Sequence, residues 1–362
     1  MKTKNLITQS FLAVSLCIAA GCTKTEITSN EGDTNNVPVA TPRSITLSAT
    51  ANEATQPRAF WTEETANKAL LFNWENDESG SMKTMVWGSK GIKSFESGHL
   101  ANTYIHTTET GQKGLLSITD LLAKDSYYEQ NDKIHCFYPV DGTHSTLTAT
   151  SGGADFAFQL PATVTQTEAN STKHLSQYIY MKGVGTVNVK EQQASSEISF
   201  SVLPVQIQFH ITNAEQNDLT VSTLNLNGVL ALNGNIHLDK SQQEKLTFTE
   251  TQHTVEIQTS ITLTPGQTVN FYTQVLPTQF TADETLNFNM LSTYSNGWTA
   301  NYIDIPISCN LLTSKSGKFE SNHFYAIDVE VYRDEIYMTL GNVGIQHAQQ
   351  GENTEIEIGP KN

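Results

Sequence analysis

Ser196-Glu197-Ile198-Ser199-Phe200-Ser201-Val202-Leu203-Pro204-Val205-Gln206-Ile207-Gln208-Phe209-His210-Ile211 is the stretch that decides the fold. Ile198, Phe200 and Val202 alternate with polar residues in one phase, and Val205, Ile207, Phe209 and Ile211 alternate in the other. A period of two places one set of side chains on one face of a strand, so each half reads as a half-buried β-strand. Pro204 stands at the slip between the phases. Proline donates no ladder hydrogen bond and a one-residue slip swaps the faces, so the stretch predicts two strands broken at Pro204.

Working outward, the same alternation recurs at Val221 to Leu226, Val255 to Leu263, Val269 to Leu276, Leu286 to Met290, Tyr325 to Val331, Ile336 to Leu340 and Thr354 to Ile358. Runs spaced by roughly 8 to 15 residues are the pattern of a β-sandwich. Toward the N-terminus the apolar pieces are shorter. Leu71-Phe72-Asn73-Trp74 precedes the turn-forming run Glu75 to Gly80, and Met85-Val86-Trp87 follows it. Leu115 to Lys124 has helical spacing, through Leu116, Ile118, Leu121 and Leu122, and predicts one short helical insertion. The polar run Glu191 to Ser196 marks a boundary. A chain of 362 residues is too long for one ordinary sandwich and suits two domains of about 150 residues each. The expectation is an all-β protein with minor helical insertions and two tandem β-sandwich domains, 44–193 and 194–362.

The formal net charge is −16, from 37 acidic and 21 basic residues, which argues against a grip on nucleic acid or an anionic membrane face. Hydrophobic residues make up 38% and charged residues 16%, so the rest is largely Thr, Ser, Asn and Gln, as sheets with one wet face require. The partner expected from this balance is a protein or a glycan.

At the start of the chain, Lys2 and Lys4 precede an apolar run from Phe11 to Ala20 that stops at Gly21-Cys22. The run is shorter than the roughly 20 apolar residues of a membrane span and reads as a signal peptide over 1–21. Small residues Ala19, Ala20 and Gly21 before Cys22 are similar to a bacterial lipobox, with Ala19 where Leu is commoner, so Cys22 is the candidate for acylation. Residues 22–43 are polar and carry no apolar period, which predicts a tether. Order is expected from Ser44, where Ile45, Leu47, Ala49 and Ala51 alternate with polar residues.

Catalytic motifs are missing: there is no Gly-rich phosphate loop, no His-Glu-x-x-His, no cysteine pair at zinc spacing and no Gly-x-Ser-x-Gly elbow. The ten histidines are scattered singly, and Cys136 and Cys309 read as buried small hydrophobes. The acidic turn at Asp77 and Glu78 offers too few alternating oxygens for Ca²⁺. A glycosidase would need two carboxylates facing one cleft, which the sequence neither supports nor excludes. Trp61, Trp74, Trp87 and Trp298 lie beside strand patterns, where core packing is the commoner fate than a sugar-stacking platform. No catalytic residue, cofactor or metal ligand is assigned. Arginine is scarce, with Arg43, Arg58 and Arg333 against eighteen lysines. Arg43 and Arg58 bracket the strand Ile45 to Ala51, and Arg58 follows Pro57 in a polar loop of the kind proteases cut.

Cys22 with its signal, the tether, the strand Ser44 to Ala51, the junction Gln56-Pro57-Arg58-Ala59-Phe60-Trp61 and the turn Trp74-Glu75-Asn76-Asp77 resemble the start of the Bacteroidetes fimbrillin family of major and tip pilins. Val205 to Ile211, Val275-Leu276-Pro277-Thr278-Gln279 and Asn322-His323-Phe324-Tyr325-Ala326-Ile327-Asp328-Val329 extend the resemblance through the second half. The chain departs from the family in having His347 where Trp is frequent and Pro57 where Thr commonly precedes the Arg. The resemblance implies transthyretin-like, Greek-key sandwiches and a lipidated precursor anchored in the outer membrane through Cys22. It implies cleavage by an Arg-specific protease at Arg58, with Arg43 as second choice, and removal of 44–58 with the strand of Ile45, Leu47, Ala49 and Ala51. A neighbouring pilin subunit would then fill the groove, and Thr354, Ile356 and Ile358 are the candidate donor strand. A stalk or tip subunit would be cut, whereas an anchor would stay lipidated and uncut. A host protein or glycan would be the adhesive target at the cell surface. The alternative is a surface glycan-binding lipoprotein of a polysaccharide-uptake system, which coplanar exposed tryptophans would favour.

Overall fold

The computed structural model describes residues 130–340 apart from 132, 151–152, 187, 191–192, 240, 242, 314–315 and 334. Outside that span it describes the strands at 45–51, 61–64, 69–72, 79–86, 99–106, 113–118, 343–348 and 358–359. The strands run β1 Ile45–Ala51, β2 Trp61–Glu64, β3 Ala69–Phe72, β4 Ser79–Val86, β5 His99–His106, β6 Lys113–Ile118, β7 Lys133–Tyr138 and β8 Ser145–Thr150. Next come β9 Gly153–Gln159, β10 Thr163–Thr165, β11 Met181–Thr186, β12 Asn188–Lys190, β13 Gln193–Val202, β14 Val205–Asn213, β15 Leu219–Asp239 and β16 Glu244–Leu263. The last are β17 Thr268–Val275, β18 Thr285–Tyr294, β19 Thr299–Ser308, β20 Phe324–Val331, β21 Glu335–Leu340, β22 Val343–Ala348 and β23 Ile358–Gly359. Among the described residues, helix is confined to a 3-10 turn at Lys173–Tyr178 and to α1, Cys309–Leu312.

The deciding stretch folds as its pattern requires. β13 ends at Val202, β14 begins at Val205, and Ile198, Phe200, Val202, Val205, Ile207, Phe209 and Ile211 are all buried. β14 is interior to its sheet, pairing antiparallel with β17 and parallel with β20. Gln206 and Gln208 on its other face are buried too. Burial on both faces suits a strand with a parallel neighbour.

Three sheets carry the architecture. In the first, β1, β6, β5, β4, β7, β11 and β13 pair in succession, and β13 pairs back to β1, so the sheet closes on itself, with β12 beside β13. The second runs β10-β16-β15-β18-β19, with β9 and β8 continuing from the far half of β15. The third runs β17-β14-β20-β21-β22-β23. β2 and β3 form a separate hairpin. Residues Ala40–Asn362 gather into one compact unit. β15 and β16, 21 and 20 residues long, form the longest hairpin: its near half pairs with β18 and its far half with β9.

Two expectations are corrected. Leu115 to Ile118, read as the start of a helix, lies in β6, which pairs with β5 on one side and β1 on the other. A short apolar run is ambiguous by period alone, and two-sided ladder pairing decides it. Residues 193–196, read as a polar link, begin β13 and pair with β1 and β12, so the change of sheet comes at Leu203-Pro204. Likewise β8, β9 and β10, inside the span expected for the first domain, pair into the sheet of β15 and β16.

The core fills the space between sheets. Phe209 meets Phe288 at 5.3 Å between ring centroids, and Phe137 meets Phe156 at 5.0 Å. Each large apolar side chain so buried contributes about 1.5–3 kcal/mol. Tyr180, fully buried at 5.0 Å from Phe158, donates its hydroxyl proton to the Gln159 carbonyl at 2.7 Å, which meets the cost of burying a polar tip.

Candidate assembly site

β1 is the strand that closes the first sheet. On one side it runs parallel to β13 over its whole length, from Ile45 opposite Ala194 to Ala51 opposite Phe200. On the other it runs antiparallel to β6, with Leu47 opposite Leu116 and Thr50 opposite Lys113. Its backbone is therefore engaged on both flanks. Withdrawing β1 would leave β6 and β13 as facing edges, each with a row of unpaired N–H and C=O groups, which is a template for an incoming strand.

Other site residues expected from the sequence fall differently. Cys22, Arg43, Arg58, Thr354 and Ile356 lie outside the described residues, as does the acidic turn at Asp77 and Glu78. Ile358 lies in β23, which pairs antiparallel with β22 through Ile358 opposite Ile345 at the outer edge of the third sheet. Thus β1 occupies a ring-closing position while the candidate donor sits at an edge.

Arg333 stands over the Trp298 ring at 5.5 Å, and its backbone N–H donates to Glu215 Oε1 at 3.0 Å. Tyr294 packs 5.6 Å from the same indole, so Trp298 is a packed side chain rather than a bare stacking platform. Cys136 and Cys309 are buried, and burial pushes the Cys309 thiol up to about 12, out of the reactive range. His210, read as a lone strand histidine, pairs with Asp328 Oδ1 at 2.8 Å across the β14–β20 ladder. Among the described residues no group of three or more His, Cys, Asp or Glu side chains is placed to hold a metal ion.

Sequence reasoning missed a buried polar clasp between the closed sheet and the long hairpin. Glu244, the first residue of β16, accepts from His135 of β7 at 3.0 Å and from the Lys182 ammonium of β11. The His135 hydrogen bond and the Lys182 charge outweigh burial and hold the Glu244 carboxyl down at about 2. His135 and Glu244 are 109 residues apart, so no local pattern marks them.

No family model matches the chain, and no curated protein matches it. Among solved structures it is similar to a candidate cell adhesion protein from Bacteroides ovatus, at 13% identity over 86% of this chain and 100% of that one, with a TM-score of 0.51. A candidate cell adhesion protein from Bacteroides uniformis aligns at 12% identity over 84% of this chain and 96% of that one, with a TM-score of 0.44. The tip fimbrial protein Mfa3 from Porphyromonas gingivalis, with a C-terminal truncation, aligns at 10% identity over 88% and 99%, with a TM-score of 0.38. The first shares the all-β fold of this chain.

Proposed function

We propose that this chain is a structural and adhesive subunit of a cell-surface pilus, exported as a precursor lipidated at Cys22 and assembled by strand exchange. The observation that carries the reading is the place of β1: it closes the first sheet between β13 and β6, and it lies between Arg43 and Arg58, two of the chain's three arginines. Cleavage after Arg58 severs this strand from the body, whereas a cut after Arg43 would leave it attached, and a segment of a neighbouring subunit enters the vacated slot. The C-terminal segment of Thr354, Ile356 and Ile358 is the donor in this reading, since among the described residues β23 pairs with two residues of β22 at a sheet edge. The likeness to the Bacteroides ovatus structure is compatible with a surface role.

The test is the N-terminal sequence and mass of protein recovered from the cell surface. Wild-type protein starts at Ala59 and runs as detergent-stable multimers. Arg58→Ala protein starts at acylated Cys22 and runs as a monomer. Multimers of Arg58→Ala protein that retain residues 44–58 would overturn the strand-exchange mechanism.

A further inference from the structure

Sheet edges pair with other chains unless something prevents it, and proteins block them with charges, prolines, bulges or cover. The two longest edges of the second sheet follow this rule. β16 carries Glu244, Lys245 and Glu250 along its open half, and β19 carries Pro306 and Asp304, the latter at φ 54° with its N–H held by Asn289 Oδ1.

β17 lies at the edge of the third sheet, and its sequence is Thr-Val-Asn-Phe-Tyr-Thr-Gln-Val. It contains no charge, no proline and no glycine, the composition that favours pairing with an identical strand. What covers it is a set of side chains. Gln166 Oε1 accepts from the Tyr272 N–H at 3.0 Å, and Gln166 Nε2 donates to the Asn270 carbonyl at 2.9 Å. Asn170 Oδ1 accepts from the Asn270 N–H at 2.8 Å, and His174 Nε2 donates to the Tyr272 carbonyl at 2.9 Å. Three side chains thus occupy both outward N–H groups and both outward C=O groups of alternate residues 270 and 272, the groups a partner strand would use. The same segment pairs by backbone with β16, through β10 and through the Gln166 N–H to the Gln258 carbonyl at 3.0 Å. It straps the edges of two sheets, one by backbone and one by side chains.

We propose that residues Thr163–Tyr178 guard β17 against antiparallel pairing with β17 of a second copy of this chain. A second copy is the fitting partner because eight uncharged residues pair antiparallel with themselves about a two-fold axis without repulsion. The guard is independent of β1.

The test uses the full chain carrying Arg58→Ala, so that the slot of β1 stays filled, and measures mass by light scattering and amide exchange at residues 270 and 272. The parent is a monomer with both amides protected. Gln166→Ala/Asn170→Ala/His174→Ala associates at least about tenfold more tightly. Adding Asn270→Pro, which removes an outward donor and leaves the inward ladder to β14, restores the monomer. Asn170→Gly, at an exposed residue with φ 58°, frees the Asn270 N–H without disturbing the core and shifts association the same way to a smaller degree. A triple variant that keeps its fold and stays monomeric overturns the proposal, as does association that Asn270→Pro leaves unchanged. If the triple variant unfolds, Asn170→Gly decides: no rise in association overturns the proposal.

Discussion

Gly234 shows how closely single residues are constrained here. It sits opposite Phe158 on the neighbouring strand, and a methyl group at its Cα would lie 2.4 Å from the Phe158 ring. That ring is itself wedged between Phe156 and Tyr180, at 5.1 and 5.0 Å. Gly234→Ala is expected to cost about 1–3 kcal/mol, as overpacking in a filled core does, and a shift of the urea midpoint measures it. Asp141 is a different case. Burial works against its charge, but His144 and the N–H groups of Thr143, His144 and Ser145 hold its carboxyl down to about 2. Neither constraint was legible beforehand, because glycine opposite phenylalanine becomes visible only once register is known.

Among the elements, β1 and β14 invite comparison. Each runs between an antiparallel neighbour and a parallel one, β6 and β13 for the first, β17 and β20 for the second. Their apolar phases differ by residue type: Ile45, Leu47, Ala49 and Ala51 against Val205, Ile207, Phe209 and Ile211. At about 1.5–3 kcal/mol per large buried side chain, Val205, Ile207, Phe209 and Ile211 commit β14 to its sheet by several kcal/mol. Phe209→Ala is accordingly expected to cost about 3–5 kcal/mol. Ala49→Pro removes a donor from a strand paired on both flanks. Hydrogen exchange should then accelerate in β6 and β13 while β15 and β18 keep their protection; uniform acceleration would mean that β1 is not a separable element. The alternation that identified β14 was plain in the sequence. The role of β1 was not, since its register to β13 spans about 150 residues of chain and leaves no local trace. Gln166, Asn170 and His174 are equally silent: three polar residues spread over a loop and a 3-10 turn have no period, and only the β17 backbone gives them a meaning.

For the whole molecule, the Glu244 clasp joins the closed sheet to the long hairpin and sets an acid limit. A carboxyl held lower in the folded than in the unfolded chain contributes stability above its ordinary value, near 4.5, and that contribution is lost as pH falls toward about 2. Denaturation midpoints measured across that window should fall steeply for the wild type and less steeply for Glu244→Gln, the remaining slope coming in part from Asp141. At neutral pH the same variant is expected to lose about 1–3 kcal/mol, because the amide removes the negative charge that His135 and Lys182 share and sets an NH2 donor where one carboxylate oxygen accepted. All-β character and the break at Pro204 could be read from period and proline. The closure of the first sheet and the passage of β8 to β10 into the second could not, because both depend on which distant strands find one another.

The mixed flanks of β1 carry one further consequence, which is a matter of symmetry. A slot with one parallel and one antiparallel wall reproduces both registers for a strand entering in one direction only. When donor and acceptor are different surfaces, joined with a fixed direction, the contact does not cancel itself as a two-fold pair does. Under the proposed strand exchange, that contact repeated from copy to copy would produce a line whose two ends present different surfaces.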